Sequence, residues 1–110
     1  MEERRQQGRR STELLLEVVD AHTGQRLGRI VDLSMDGFML FSEALLTCDS
    51  LWECRLIPLS PIEGVQEIRL GADCLWTRPA ADGQHCWAGF HIIDLAEDQE
   101  ALLENLLHQM

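Results

Sequence analysis

From Glu67 to Trp76 the chain alternates without a break. Ile68, Leu70, Ala72, Cys74 and Trp76 fall on one side, and Glu67, Arg69, Gly71, Asp73 and Leu75 on the other. Successive side chains on an extended backbone point to opposite faces, so this pattern specifies a half-buried strand. A half-buried strand needs partners, and the rest of the chain supplies them in short pieces. Residues 13–20 alternate with Leu14, Leu16 and Val18 on one face. His22-Thr23-Gly24-Gln25 reads as a hairpin turn, with Gly24 free to take a positive φ, and residues 26–33 return. A turn at Ser34-Met35-Asp36-Gly37 precedes a short strand over 38–41, and residues 42–50 read as a loop or short helical turn. A further strand over 52–59 is stopped by Pro58 and Pro61. Arg78-Pro79 ends the long strand, Ala81-Asp82-Gly83 turns the chain, and residues 85–93 return with Cys86, Ala88, Phe90 and Ile92 inward. About six hairpin-linked strands predict a mainly all-β fold, a small antiparallel barrel.

The tail has a different period. Leu95, Leu102, Leu103, Leu106, Leu107 and Met110 form one stripe of a helix over 94–110, with Asp94 as N-cap and Glu97 three residues later. The stripe is expected to cover the barrel, with a dimer or partner contact as the other use. The 110 residues thus divide into an arginine-rich flexible arm (1–10), a barrel (11–93) and a C-terminal helix (94–110), all in a single domain.

Charge separates the arm from the body. The first ten residues hold Arg4, Arg5, Arg9 and Arg10 against Glu2 and Glu3. The remaining hundred carry five arginines against seventeen acids, a net of −12, and the chain has no lysine. An acidic body repels duplex DNA and anionic membranes. Arginine clustered without lysine suits forked recognition of phosphate. No apolar run approaches the ~20 residues of a membrane-spanning helix. Met1-Glu2-Glu3-Arg4-Arg5 opens no apolar signal segment, so a cytoplasmic protein is expected. Cys48, Cys54, Cys74 and Cys86 form no C-x-x-C pair and read as reduced residues. The four histidines (His22, His85, His91, His108) share no ligand spacing, so no metal is expected.

Two motifs remain. Arg5-Gln6-Gln7-Gly8-Arg9 is an R-x-x-x-R with a further arginine on each side, Arg4 and Arg10. Asp32-Leu33-Ser34-Met35-Asp36-Gly37 is a D-x-S-x-x-G at the end of a strand. Either alone is weak, one a solvated tail and the other a turn. In this order, followed by a strand ending in Trp76, by Gly89-Phe90-His91-Ile92 and by a terminal amphipathic helix, they resemble the PilZ family of cyclic di-GMP receptors. The resemblance implies a six-stranded antiparallel β-barrel whose N-terminal arm folds over a nucleotide on the barrel surface. Arg5 and Arg9 would then fork onto phosphate or guanine, and Asp32 would accept from the guanine N–H edge. Ser34 would offer a hydroxyl, and Gly37 would take a positive φ or leave room for the ligand. Arg4 and Arg10 add guanidiniums beside the motif, and Arg4, directly before it, could stack on a second nucleotide, giving one or two cyclic di-GMP per chain. Trp76 sits where some members place an aromatic near a guanine, although its alternation puts the ring with the core. Trp52 and Trp87 have no tie to this site.

The sequence offers no Ser-His-Asp or Cys-His constellation and no phosphate loop, so a binding protein without cofactor is expected rather than an enzyme. The leading function is a receptor that orders its arm over cyclic di-GMP and so changes a surface seen by an unidentified effector protein. The alternative is an interaction module of the same fold that does not use the nucleotide. Monomer and homodimer are both compatible with the sequence.

Overall fold

The computed structural model describes residues 10–11, 15–43, 46 and 48–109. In chain order the elements are β1 (Arg10–Ser11), β2 (Leu16–Asp20), β3 (Arg26–Leu33), β4 (Gly37–Ser42), β5 (Ser50–Pro58), β6 (Ile68–Pro79), β7 (Cys86–Asp94) and α1 (Glu97–His108). All pairings are antiparallel. The order β3-β2-β5-β6-β7-β4 closes because β4 also pairs with β3. This is the expected six-stranded barrel with one C-terminal helix. Arg10 and Ser11 add a short strand: they pair with Leu33 and Asp32, beyond the stretch of β3 that β2 reaches. Arg10, expected in the flexible arm, therefore has its backbone in the sheet.

Inward residues follow the expected alternation through most strands. Leu16, Val18, Ile30, Leu33, Leu40, Leu56, Ile68, Leu70, Ala72, Cys74 and Ala88 are buried. At the centre Phe38 and Phe90, directly paired across β4 and β7, stack with ring centroids 5.0 Å apart and planes 10° from parallel. Burial pushes the Cys54 thiol up to about 12 and the Cys74 thiol up to about 11. Both therefore act as small apolar groups.

The helix covers the barrel. Leu103 and Leu106 are fully buried, while Leu95, Leu102 and Leu107 pack partly buried against the core. Polar ties hold both ends. The Arg69 backbone N–H donates to Gln99 Oε1 at 2.8 Å, and the Gln109 side-chain amide donates to the Glu63 carbonyl at 2.9 Å. Asp94 is not the N-cap. It is the last residue of β7, and Ala96 caps α1 with no side-chain hydrogen bond. The first-turn acids Glu97, Asp98 and Glu100 remain to offset the exposed N–H groups. Other boundaries move similarly. Arg78 and Pro79 lie inside β6, still paired with Trp87 and Cys86, and β5 begins at Ser50.

Closure explains one glycine. A Cβ on residue 37 would stand 2.2 Å from the Phe90 carbonyl oxygen, a backbone atom of the strand that β4 must meet. Gly37 lies outside the positive-φ set, and the space a Cβ would need is taken by the β7 backbone. The expectation of a positive φ at this residue is thereby corrected. Gly37→Ala is expected to cost about 1–3 kcal/mol through forced separation of β4 and β7. Leu103→Ala should cost about 2–5 kcal/mol by leaving a cavity under the helix. Denaturant midpoints at unchanged m would measure both.

Candidate functional site

Barrel register, not sequence distance, decides which residues share a face. Asp32 pairs with Met39, Met39 with Gly89, and Gly89 with Trp76. These four form one row across β3, β4, β7 and β6 on the outside of the barrel. With strands about 4.8 Å apart, three spacings put the ends of the row roughly 14 Å from each other along the sheet. Ser11, the second residue of β1, pairs with Asp32 on the far side, so the chain from the arm enters the fold at the end of this row.

Two β-bulges put Asp32 and Trp76 there. Between Ile30 and Asp32, β3 carries an extra residue, Val31. Between Cys74 and Trp76, β6 carries Leu75. Each insertion shifts the alternation by one position and re-aims the next side chain. Trp76 is thus turned out of the core face on which strict alternation places it, and is 37% exposed. Its ring lies over Gly89: a Cβ there would be 2.1 Å from Trp76 Nε1. The Arg78 guanidinium stands 5.5 Å from the centroid of the same ring, within cation–π range.

A second row runs parallel, two residues along: Arg29, Phe41, Trp87 and Arg78. Phe41 and Trp87 meet at 4.7 Å between centroids, and His85 stacks on Phe41 at 4.8 Å. Asp82 locks the hairpin that carries His85. It accepts from the Gln84 and His85 backbone N–H groups and from the His85 ring, and these bonds draw its carboxyl down to about 2. The electrostatics distinguish this face. Of the five body arginines, Arg26 is paired with Glu17 and Glu43, and both Arg55 and Arg69 with Glu67. Among the described residues, no carboxylate forms an ion pair with the other two, Arg29 and Arg78, and both stand here. A face with two uncompensated guanidiniums, three aromatic rings and one carboxylate at its edge can take an anion bearing flat heterocycles.

A PilZ domain family model matches residues 3–109. The chain belongs to the PilZ domain family. The barrel superposes on the PilZ domain of YcgR from Escherichia coli with c-di-GMP at TM-score 0.66 and 13% identity, covering 97% of this chain and 91% of that one. The K. pneumonia MrkH–c-di-GMP complex gives 0.71 at 18% identity, covering 97% of this chain and 52% of the other. The Bacillus subtilis inhibitor of motility (MotI/DgrA) gives 0.70 at 16%, with 97% and 51% covered. At these identities the likeness is one of fold, and the chain spans about half the length of the last two. A comparison with curated protein sequences finds no match.

The PilZ motif residues are not all placed alike. Arg4, Arg5 and Arg9 lie outside the described residues, and Arg10 is described only in its backbone pairing with Leu33. Asp32 and Trp76 share the outer row. Ser34, expected to offer its hydroxyl to phosphate or base, is 8% exposed and engaged in the turn. Its Oγ accepts from the Asp36 and Gly37 N–H groups at 3.2 Å and lies 3.3 Å from the Gly37 carbonyl. The sequence reading missed Met39, Gly89, Arg29, Arg78 and Trp87. Only the motif Gly89-Phe90 and the aromatic–arginine spacing of Trp76 and Arg78 hinted at them. In a Trp52→Phe, Trp87→Phe background, Gly89→Ala should expel the Trp76 ring and move its emission to longer wavelength. An unchanged spectrum would mean that Gly89 does not seat the ring.

Proposed function

We propose that this PilZ domain is a cytoplasmic, non-enzymatic receptor for cyclic di-GMP. In this reading its N-terminal arm orders over the nucleotide on the outer face of β3, β4, β7 and β6. The observation that carries the reading is the charge and ring content of that face. Arg29 and Arg78 lack carboxylate partners among the described residues, Trp76 and Trp87 present rings, and Asp32 stands beside the strand that leads in from the arm. Cyclic di-GMP carries two phosphodiester charges and two guanines. Guanidiniums answer the first, aromatic faces and a carboxylate the second. Two PilZ relatives of this fold are solved with c-di-GMP, which supports the same ligand here.

Arg5 and Arg9, four apart in the arm, would close over the ligand from outside, with Arg4 and Arg10 beside them. Ordering of the arm would change the surface offered to an effector protein, an order–disorder switch. A second reading is favoured by the turn. Ser34 and Gly37 are accounted for by the turn and by strand closure alone, so that half of the motif also suits a PilZ module that never meets the nucleotide.

Calorimetric titration separates the two. Arg5→Ala and Arg9→Ala should each weaken cyclic di-GMP binding by about ten- to a hundredfold, the loss of one charge-assisted hydrogen bond of about 1.5–3 kcal/mol, while the melting temperature holds. Arg78→Ala should weaken binding as well. Wild-type affinity in all three would sink the site. Slower amide exchange at residues 2–10 on adding nucleotide is expected if the arm is the switch. If Arg4 serves a second nucleotide, Arg4→Leu should halve the stoichiometry.

A further inference from the structure

The far ends of β6 and β7 carry a different surface. Glu53, Gly71 and Asp94 form a row across β5, β6 and β7. Gly71 offers no side chain, so the outer face sinks between its neighbours. The resulting hollow, of about 420 Å³, is walled by Leu51 and Ile93 and bears Asp20, Glu53 and Asp94. It continues over Gly71 into a second hollow of about 670 Å³ that reaches Asp98 at the first turn of α1. Leu51 is 72% exposed and Ile93 52%, the latter as the extra residue of a third bulge, between the partners of Gly71 and Ala72. Two large aliphatic side chains thus stand in water on the walls of one hollow.

Charge indicates what would cover them. Among the described residues, the lining of the smaller hollow includes three carboxylates and no arginine, and its one basic group, His22, is already 2.9 Å from Glu53. The two arginines of the larger hollow, Arg55 and Arg69, are held by Glu67 at 3.3 and 3.1 Å. A groove with aliphatic walls and an acidic floor disfavours an acidic partner and favours a cationic one. We propose that the groove over Gly71 docks a basic, amphipathic segment of an effector protein, with aliphatic side chains seated between Leu51 and Ile93 and with arginines or lysines on Glu53 and Asp94. This rests on reading the chain as a receptor that acts through a partner, and it assigns the partner's contact to a surface separate from the nucleotide face.

The probe is a synthetic amphipathic peptide of leucine and arginine, with a leucine–glutamate peptide as control. NMR titration should shift the amide signals of Leu51, Gly71 and Ile93 with the first and leave them with the second. Leu51→Ser with Ile93→Ser keeps every charge and, both residues being exposed, should melt as wild type. It is expected to bind the peptide at least about tenfold more weakly, since each tenfold step is a modest loss of apolar contact. Its affinity for cyclic di-GMP should be unchanged. Undiminished peptide binding in that variant, shifts confined to other surfaces, or equal response to the glutamate peptide would each overturn the proposal. So would a wild-type dimer that the double substitution dissociates, for the groove would then hold a second copy. A chain that takes the peptide but no cyclic di-GMP would leave the groove standing and remove the receptor reading alone.

Discussion

Everything on the outside of this barrel depends on how β4 is wedged between β3 and β7. The Phe38–Phe90 stack fixes that wedge from within, and the bare Cα of Gly37 lets the β7 backbone come close enough to complete it. Because β4 is the closing strand, its register is set twice, once against each neighbour. Asp32, Met39 and Gly89 are consequently in line, and a slip of one residue on either side would turn the row inward. The same stacked pair that fills the core thus fixes the geometry of the surface.

Much of this fold was legible in the sequence because period-two alternation is a local signal. The bounds of β3, Arg26–Leu33, coincide with the return expected after the hairpin turn, and Gly24 and Gly83 turn the chain with positive φ where the turns were expected. What alternation cannot express is an inserted residue. Leu75 breaks the phase without breaking the apolar pattern, and so Trp76 looked like core. Cross-strand neighbours are also invisible along the chain: Asp32 and Trp76 are forty-four positions apart in sequence but three strands apart in space. Trp87 and Phe41, with no motif around them, could be joined only through register. The misplaced helix cap has a simpler cause. Asp94 is chemically a good N-cap, but β7 keeps its backbone extended in pairing with Gly71, and α1 starts three residues later.

Electrostatics sort the surface into two regions more sharply than net charge does. The body is strongly acidic, yet three of its five arginines are tied to glutamates while Arg29 and Arg78 stand together on one face. Their number matters less than the absence of any ion pair that holds them among the described residues. At the far ends of β6 and β7 the situation reverses, with Glu53 and Asp94 flanking exposed aliphatic walls.

The seat of Trp76 is defined by atoms that are missing. Its ring occupies the volume that any side chain at position 89 would need, so the placement of this tryptophan is written at the smallest residue opposite it. Trp76 and Gly89 are therefore a single unit divided between two strands. A chain that kept the tryptophan and lost the glycine would retain the letter of the motif while presenting a differently shaped face.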